Sequence, residues 1–453
     1  MKTFRLSTLT LSLMACSSTM AFAGQADSNG FIEDSHLQLL NRSMYFNRQV
    51  KGDGHHENAH NQRDPRDWSY GLLANYESGF TQGTVGFGVD AFGYLALKLD
   101  GGNGHAGSGN VQVNSSGETQ DEYSKAGGAV KLRISNTILK YGEMQPTAPV
   151  FAAGGSRLLP QTARGLNIIS KEIDGLTLDL GHFTAGTEPT STSTDGGLWA
   201  TYAGVETRKV DYLGGAYQVN DNLSVSLYGS EFQDLWRQYY GNVNYALPLQ
   251  DDQSLTFDFN IYRTNDEGRA EAGSISNTAW SLAAAYNLGA HTFTLAHQRI
   301  HGDTPFDYVG FGNNGAGGGG DSIFLANSIQ WSDFNAPNEK SWQARYDLDM
   351  TSYGVPGLSF MARYIYGYDI DGTHADAGGA YVSRDEAGAV TGYAYDHNDK
   401  ERETNLEAKY VVQEGPAKDL SLRVRQAWHR GAASTGGSVN EFRLIADYPL
   451  DIF

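Results

Sequence analysis

The pattern with the clearest chemical meaning lies in the stretch DLSLRVRQAW, where Arg423 and Arg425 are two residues apart. Leu422 and Val424 alternate with them, and successive side chains of a β-strand point to opposite faces. One face of this segment is therefore apolar, and the other carries two guanidinium groups. In an ordinary half-buried strand the apolar face would cover a core and the charges would only face water.

Two neighbouring segments repeat this arrangement. Lys409 shares the polar parity of NLEAKYVV, and Arg443 shares that of EFRLIADYPLDIF. Three consecutive predicted strands therefore place cations on one wall. In a narrow water-filled pore such a wall would attract anionic groups such as carboxylates and repel simple cations. The alternative is that these residues are scattered charges at the rim of a large sheet.

The elements that carry these residues are predicted to be long strands. Alternation of apolar and polar residues also runs through TVGFGVDAFGYLALKL, SLTFDFNIYR and VKLRIS, which is the strand signature. The first run exceeds the ~5–6 residues usual in globular proteins and suits the ~9–11 residues with which a tilted strand crosses a bilayer. Beyond the first 23 residues, no apolar run approaches the ~18 residues that a membrane helix needs.

The connections between these runs fall into two classes. Tight turns are indicated by Asp174-Gly175, Asn220-Asp221-Asn222, Asn287-Leu288-Gly289 and Pro356-Gly357. Long, polar, glycine-rich connections cover residues 50–67, 100–123, 302–322 and 368–402. Short turns at one rim and long loops at the other are typical of outer-membrane barrels.

We therefore predict an all-β fold, a transmembrane antiparallel β-barrel of about 18 strands with short periplasmic turns and long extracellular loops. A sandwich of so many strands would leave open edges, whereas closing the sheet removes them. Closure places the apolar parity on lipid and the polar parity in the lumen. The apolar segment TAPVFAAGGSRLLPQTARG, residues 147–165, is predicted to fold into the lumen; packing on the rim is the alternative.

Residues 1–23 have the features of a secretory signal peptide. Lys2 and Arg5 precede a short apolar stretch, and Ala21-Phe22-Ala23 fits the small-residue cleavage rule. The mature chain would then be a single barrel domain, residues 24–453. A lipidation site at Cys16 is a weaker alternative because Met14 fits the lipidation box poorly. Cleavage after residue 23 would remove the only cysteine.

Charge and composition limit the partners. The formal net charge is −19, which argues against nucleic acid because phosphate would be repelled. Acidic loops would instead concentrate basic solutes at a pore mouth. The tract KGDGHHENAH, with His55, His56 and His60, is predicted to be a solvated loop, since a metal site needs fixed geometry. The sequence therefore indicates neither a metal nor a cofactor.

Several long stretches resemble one family of proteins. They include GFIEDSHLQLLNRSMYFNR, YESGFTQGTVGFGVDAFGYL, GEMQPTAPVFAAGGSRLLPQTARG, SLYGSEFQDLWRQYYGNVNY and HTFTLAHQRIHGDTPFDY. On these stretches, which extend over nearly all of the mature chain, the protein resembles the OprD family of substrate-specific outer-membrane porins. The resemblance implies a monomeric 18-stranded barrel in the outer membrane. It also implies passive uptake of basic amino acids, small basic peptides and the carbapenem antibiotics that mimic them.

The resemblance further implies a constriction in which a basic ladder faces acidic and hydroxyl-bearing groups. The ladder would comprise Arg48, Arg66, Arg157, Lys409, Arg423, Arg425 and Arg443. The opposite side would carry Ser156, Tyr202, Tyr308, Asp321, Ser328 and Asp333. Trp331 stands where the family has a tyrosine, and its bulk and its lack of a phenolic oxygen would alter pore width and selectivity. A substrate carboxylate would step along the ladder while its cationic group meets Asp321 and Asp333.

Two other functions stay open at this point. The resemblance includes a serine-protease activity proposed for the family, and its triad would fall on His182, Asp234 and Ser322. A triad requires mutual hydrogen-bond geometry between its members. The other alternative is a general, non-selective porin, whose transport would ignore solute charge.

Overall fold

The protein is an antiparallel sheet of 18 strands that closes on itself. The computed structural model describes residues 24–51, 64–102, 104–250, 252–312 and 319–453. The predicted signal peptide and His55, His56 and His60 lie outside the described residues. The strands, numbered in chain order, are β1 His36–Lys51, β2 Arg66–Glu77, β3 Val85–Gly101, β4 Glu122–Ile134, β5 Thr137–Met144, β6 Thr162–Ile173, β7 Leu176–Thr187, β8 Val210–Asn220, β9 Leu223–Phe232, β10 Trp236–Pro248, β11 Gln253–Asp266, β12 Ser276–Leu288, β13 His291–His301, β14 Lys340–Asp349, β15 Leu358–Asp371, β16 His397–Val411, β17 Ser421–Gly431 and β18 Ser438–Asp451.

The sheet closes because β18 pairs with β1, with Glu441 opposite Arg48. Every other barrel strand pairs antiparallel with its neighbours in the sequence. All edges are thereby used, so the wall can satisfy its backbone hydrogen bonds inside a membrane. The predicted fold class is confirmed.

The alternation of the sequence becomes a difference between the two faces of the wall. On β3, Phe87 and Leu99 are 57% and 51% exposed, whereas Tyr94 between them is 2% exposed. On β17, Leu422 and Val424 are exposed, and Arg423 and Arg425 take the opposite, inward parity. An apolar outer surface around a polar interior is the arrangement of a barrel bathed in lipid.

Short turns lie at the periplasmic rim and most of the long loops at the extracellular rim. Residues 135–136, 174–175 and 221–222 each join two strands, and Gly175 has a φ of +73° that glycine adopts without steric cost. The longest extracellular connection is residues 302–339, which extends well beyond the predicted 302–322. The described helices are three short 3₁₀ turns, Gln25–Asp27, Thr351–Tyr353 and Ala433–Thr435. None of the described helices is long and apolar enough to cross a membrane.

Extracellular loops fold into the lumen and pack on part of its wall. Thr147–Ala148 pairs with Phe151–Ala152, and Gly197–Ala200 pairs with both Glu206–Thr207 and Val309–Gly312. These loops form a buried core with inward residues of β6 to β13. Its larger members are Phe151, Phe183, Leu198, Tyr212, Trp236, Tyr262, Phe306 and Phe311. The predicted inward folding of residues 147–165 is confirmed by the full burial of Phe151 and its 4.9 Å ring contact with Phe183.

A second apolar cluster fixes the same loop to β1–β4. Leu158 and Leu159 pack on inward residues that include Met44 and Tyr94. Gly71 on β2 permits this close approach, because a Cβ there would lie 3.2 Å from Leu158 Cγ. The loops therefore pack mainly on β1 to β13, and the polar lining lies on the inner faces of β14 to β18 and on part of β1.

Candidate functional site

The polar lining is organised around Glu441 on β18. Its fully buried carboxylate accepts hydrogen bonds from Arg48 Nη2 on β1 and from Arg443 Nε, each at 2.7 Å. The guanidinium groups of Arg48, Arg157 and Arg443 lie 5.1, 5.7 and 5.4 Å from the ring centroid of Phe46. Two cations thus share one carboxylate and three lie around one aromatic ring, which leaves a net positive charge in fixed positions.

This positive wall continues toward the periplasm on β16 and β17. Glu407 lies between Arg423 and Arg425, with Oε to Nε distances of 3.5 and 3.1 Å. Arg425 is directly opposite Arg443 in the sheet register, and Lys409 is directly opposite Arg423. The register therefore places the four cations predicted from the sequence next to one another on the inner face of β16, β17 and β18.

Three more inward arginines, which the sequence analysis missed, extend the wall. Arg345 on β14 lies directly opposite Arg363 on β15, and both Arg345 and Asp347 face inward with two hydrogen bonds of 2.7 Å between them. Arg42 on β1 makes an equivalent pair with Asp447, at 2.8 and 3.1 Å. Alternation in QARYD and MARYI was the available signal, since each arginine precedes a tyrosine of the outward face. We call the inward cations of β14–β18 and β1 the basic wall.

Ser156 lies beside the basic wall. Its backbone carbonyl accepts a hydrogen bond from Arg443 Nη1 at 3.2 Å, and its Oγ accepts one from Arg157 Nη1 at 3.3 Å. The structure therefore places Ser156 next to the basic residues and apart from the Asp333 contacts described below, whereas the resemblance grouped it with the acidic side. The cause is that residues 147–161 pack on the inner wall with Ser156 turned toward β18.

Asp333, in the long loop of residues 302–339, collects three hydroxyl groups. Tyr202 and Tyr308 each donate to its Oδ2 at 2.7 Å, and Ser328 donates to its Oδ1 at 2.6 Å. The two tyrosine rings meet edge to face at 6.0 Å. The structure thus brings together these four residues of the predicted acidic side, which we call the Asp333 cluster.

Two further carboxylates of this loop region lie outside the strands. Burial raises the pKa of Asp321 to about 6, and the nearby charge of Asp333 adds to the shift. Burial also raises the pKa of Asp307 to about 6, while backbone N–H groups of Tyr202 and Ala203 bind its carboxylate at 3.0 and 2.9 Å. Asp307, which the sequence analysis did not identify, positions Tyr202 for its contact with Asp333.

Trp331 connects the two sides of the lumen. The Arg48 guanidinium lies 4.4 Å from the centroid of its ring, and the backbone N–H groups of Trp331 and Ser332 donate to Glu403 on β16 at 3.2 and 3.0 Å. Asp333 is two residues beyond Trp331, so their Cα atoms lie within about 7 Å. The loop therefore holds the Asp333 cluster a short distance from the basic wall.

Arg66 does not join the other cations. It is exposed at the extracellular end of β2 and shares the parity of Trp68, which is 48% exposed, while Asp67 between them is 1% exposed. Its side chain therefore starts on the outward face, and the expectation that it belongs to the ladder is wrong.

The residues of the alternative protease triad lie in different places. His182 is on the outward face of β7, with Nδ1 2.6 Å from Asp211 Oδ1. Asp234 lies in the connection between β9 and β10. Ser322 is fully buried in the lumen, where its Oγ accepts a hydrogen bond from the backbone of Ala152 at 2.7 Å. The barrel wall separates His182 from Ser322, so these residues do not form a triad.

The described part of the chain also contains no group of three or more His, Cys, Asp or Glu side chains that could hold a metal ion. The site is therefore built from the charges of the basic wall and the Asp333 cluster. A closed barrel with a lipid-facing exterior and this charged interior defines a membrane-spanning channel.

Comparisons with known proteins agree with this class. The model of the family described as outer membrane porin, OprD family, matches residues 29–452. The chain is 61% identical to Porin D of Pseudomonas aeruginosa over 100% of both chains. It is 32% identical to the Porin-like protein GalP of Pseudomonas putida, over 94% of this chain and 95% of that one.

Solved structures of OprD-family porins also resemble this chain. The crystal structure of Pseudomonas aeruginosa OprD is 59% identical in sequence, superposes with a TM-score of 0.79, and matches over 95% of this chain and 99% of that one. Pseudomonas aeruginosa OpdK, solved with vanillate, is 30% identical with a TM-score of 0.79, over 93% of this chain and 100% of that one. The chain belongs to the OprD family of outer-membrane porins. It is a channel of the outer membrane, and the relatives that it matches are named porins.

Proposed function

We propose that this porin is a substrate-specific channel for the passive uptake of basic amino acids and small basic peptides. Carbapenem antibiotics, which mimic such solutes, would use the same path, and the channel would act as a monomer. One observation carries the proposal. Trp331 contacts Arg48 of the basic wall, and two residues later Asp333 accepts a hydrogen bond from the hydroxyl of Tyr202. A solute with a carboxylate and a cationic group would meet opposite charges at these two points.

The basic wall would conduct the carboxylate. Arg443 on β18 is followed by Arg425 and Arg423 on β17, and ion pairs with Glu441 and Glu407 already compensate part of their charge. A passing carboxylate therefore meets several partly satisfied sites instead of one deep site. Weak, multiple sites allow a solute both to enter and to leave. Movement down a concentration gradient needs no energy source.

The Asp333 cluster would hold the cationic group. A carboxylate offers about four lone-pair positions, and the three hydroxyl donors of Tyr202, Tyr308 and Ser328 leave one for an ammonium or guanidinium group. Asp321 adds a second negative charge nearby when it is ionised. Trp331 reduces the width of the passage because it fills space against Arg48.

A liposome swelling series tests this proposal. Purified porin in vesicles is compared for arginine, glutamate and a neutral sugar of similar size. We expect arginine to enter fastest, and we expect Asp321→Asn with Asp333→Asn to slow arginine several-fold while the sugar is unaffected. Asp211→Asn is a matched control, because Asp211 lies on the outward face.

The outcomes distinguish a specific channel from a general porin, and a lost binding site from a distorted loop. Entry rates that ignore solute charge would favour a general, non-selective porin and overturn the proposal. An equal loss for arginine and sugar in the double variant would indicate collapse of the loop instead of a lost binding site. For the carbapenems, the same double variant should slow entry of a carbapenem that carries a cationic group, measured in the same vesicles.

A further inference from the structure

Cations lie opposite one another on the outer face of the barrel. The sheet register pairs Arg299 on β13 with Lys340 on β14, and it pairs Arg402 on β16 with Arg430 on β17. All four have the outward parity, since their strand neighbours point into the barrel and are buried. Those buried neighbours are Ile300, Ser341, Glu401, Glu403 and His429. We call these four residues the outer cation patch.

Like charges directly opposite each other destabilise a sheet unless an anion compensates them. Within the described residues, Lys340 forms an ion pair with Asp369 at 2.8 Å. Arg430 uses backbone carbonyls and Asn440 as acceptors, and Arg299 Nε, a buried atom, has no hydrogen-bond partner. Among the described carboxylates, none forms an ion pair with Arg299, Arg402 or Arg430. The patch is therefore positively charged on a protein whose net charge is −19.

The position of the patch indicates what covers it. One register row runs from Trp342 through Tyr366 to Arg402 and Arg430. Trp342 and Tyr366 are 46% and 37% exposed on the outer face, and Leu295, 56% exposed, continues the apolar surface toward the periplasm. Aromatic side chains on the lipid-facing surface mark the level of the lipid headgroups. Because the patch lies on the extracellular side of this surface, its neighbours are the headgroups of the outer leaflet.

We propose that the outer cation patch binds the phosphate groups of a glycolipid in the outer leaflet. Arginine forms paired hydrogen bonds with phosphate oxygens, which suits Arg402 and Arg430. The patch crosses β13 to β17, about 19 Å at the usual strand spacing, so it can engage more than one phosphate. The exposed apolar surface beside it accepts the acyl chains of the same lipid.

Native mass spectrometry of the folded porin in detergent tests the proposal, with bisphosphorylated lipid A as the probe. We expect Arg402→Gln with Arg430→Gln to weaken lipid binding about 25-fold, from about fivefold for each cation near a membrane surface. Arg237→Gln is the matched control, because Arg237 is also outward and extracellular but already pairs with Glu231 and Glu267. The affinity of the Arg237→Gln variant for bisphosphorylated lipid A should differ from that of the wild type by less than about twofold. Unchanged affinity in the double variant would overturn the proposal.

Two further arms separate phosphate recognition from general lipid adhesion. Dephosphorylated lipid A should bind the wild-type porin as weakly as bisphosphorylated lipid A binds the double variant, and equal binding of both lipids to the wild type would refute a phosphate site. Inorganic phosphate alone should not saturate the patch at millimolar concentration, since the acyl contacts are missing; saturation would assign the site to free phosphate. Without lipid, the double variant should unfold at the same or a higher temperature, because facing like charges are removed.

Discussion

Replacing Arg423 and Arg425 with alanine would remove two positive charges from the basic wall near the periplasm. Both arginines lie within 3.5 Å of Glu407. The group of three therefore changes from one net positive charge to one net negative charge. The passage should become more permeable to cations and less permeable to carboxylates.

The size of the effect follows from Coulomb's law. A unit charge about 6 Å from an ion in water contributes about 0.7 kcal/mol, and 0.1–0.15 M salt screens roughly half of it. Loss of two charges then lowers the barrier for a cation by about 0.7 kcal/mol and raises that for an anion by the same amount. The ratio of cation to anion permeability should therefore increase about tenfold.

The reversal potential of single channels in a KCl gradient measures this ratio. Arg237→Ala is the control, since it removes a cation from the outward face near the extracellular rim. A reversal potential in the double variant equal to that of the wild type would refute the role given to these arginines.

Other parts of the lining give three further predictions. Arg345→Gln with Arg363→Gln should slow the entry of carboxylate-bearing solutes several-fold in liposome swelling, and an equal loss for a neutral sugar would mean that the wall had been distorted. Because the pKa of Asp321 is raised to about 6, this group is charged at pH 7.5 and neutral at pH 5. Arginine uptake should therefore fall as the pH drops through 6, and Asp321→Asn should remove that dependence; a variant with the same pH profile as the wild type would contradict it. Glu441→Gln removes the buried carboxylate that Arg48 and the buried Arg443 share, so it should destabilise the barrel by about 3 kcal/mol. Thermal unfolding in detergent measures this, with Glu231→Gln on the outer face as control and an unchanged midpoint as the contrary result.

Alternation was sufficient to predict the strands and the faces of many of their side chains. It assigned Leu422 and Val424 to lipid and Arg423 and Arg425 to the interior, because a strand that crosses a bilayer has one wet face and one apolar face. The same rule applied to RDWSYGLL would have placed Arg66 with Trp68 on the outward face. The resemblance alone led to the wrong assignment there.

The contacts made by the loops could not be predicted in this way, because no local pattern of the sequence indicates them. Tyr202 and Tyr308 reach Asp333 across separations of 131 and 25 residues, and no periodicity of the sequence relates them. Ser156 is a similar case, because its place beside Arg443 depends on how an irregular loop packs on a distant strand. Side chains on irregular backbone are positioned by tertiary contacts, so their partners become visible only in the folded chain.

The pairing of β1 with β18 gives the wall a single seam between segments far apart in the chain, as the 405-residue separation of Arg42 and Asp447 illustrates. Until β18 arrives, both margins of the growing sheet carry backbone N–H and C=O groups that hydrocarbon cannot satisfy. Contacts of such long range also form slowly. Entry into the membrane and sealing of this seam must therefore be coupled steps, and β18 is the segment on which completion of the wall depends.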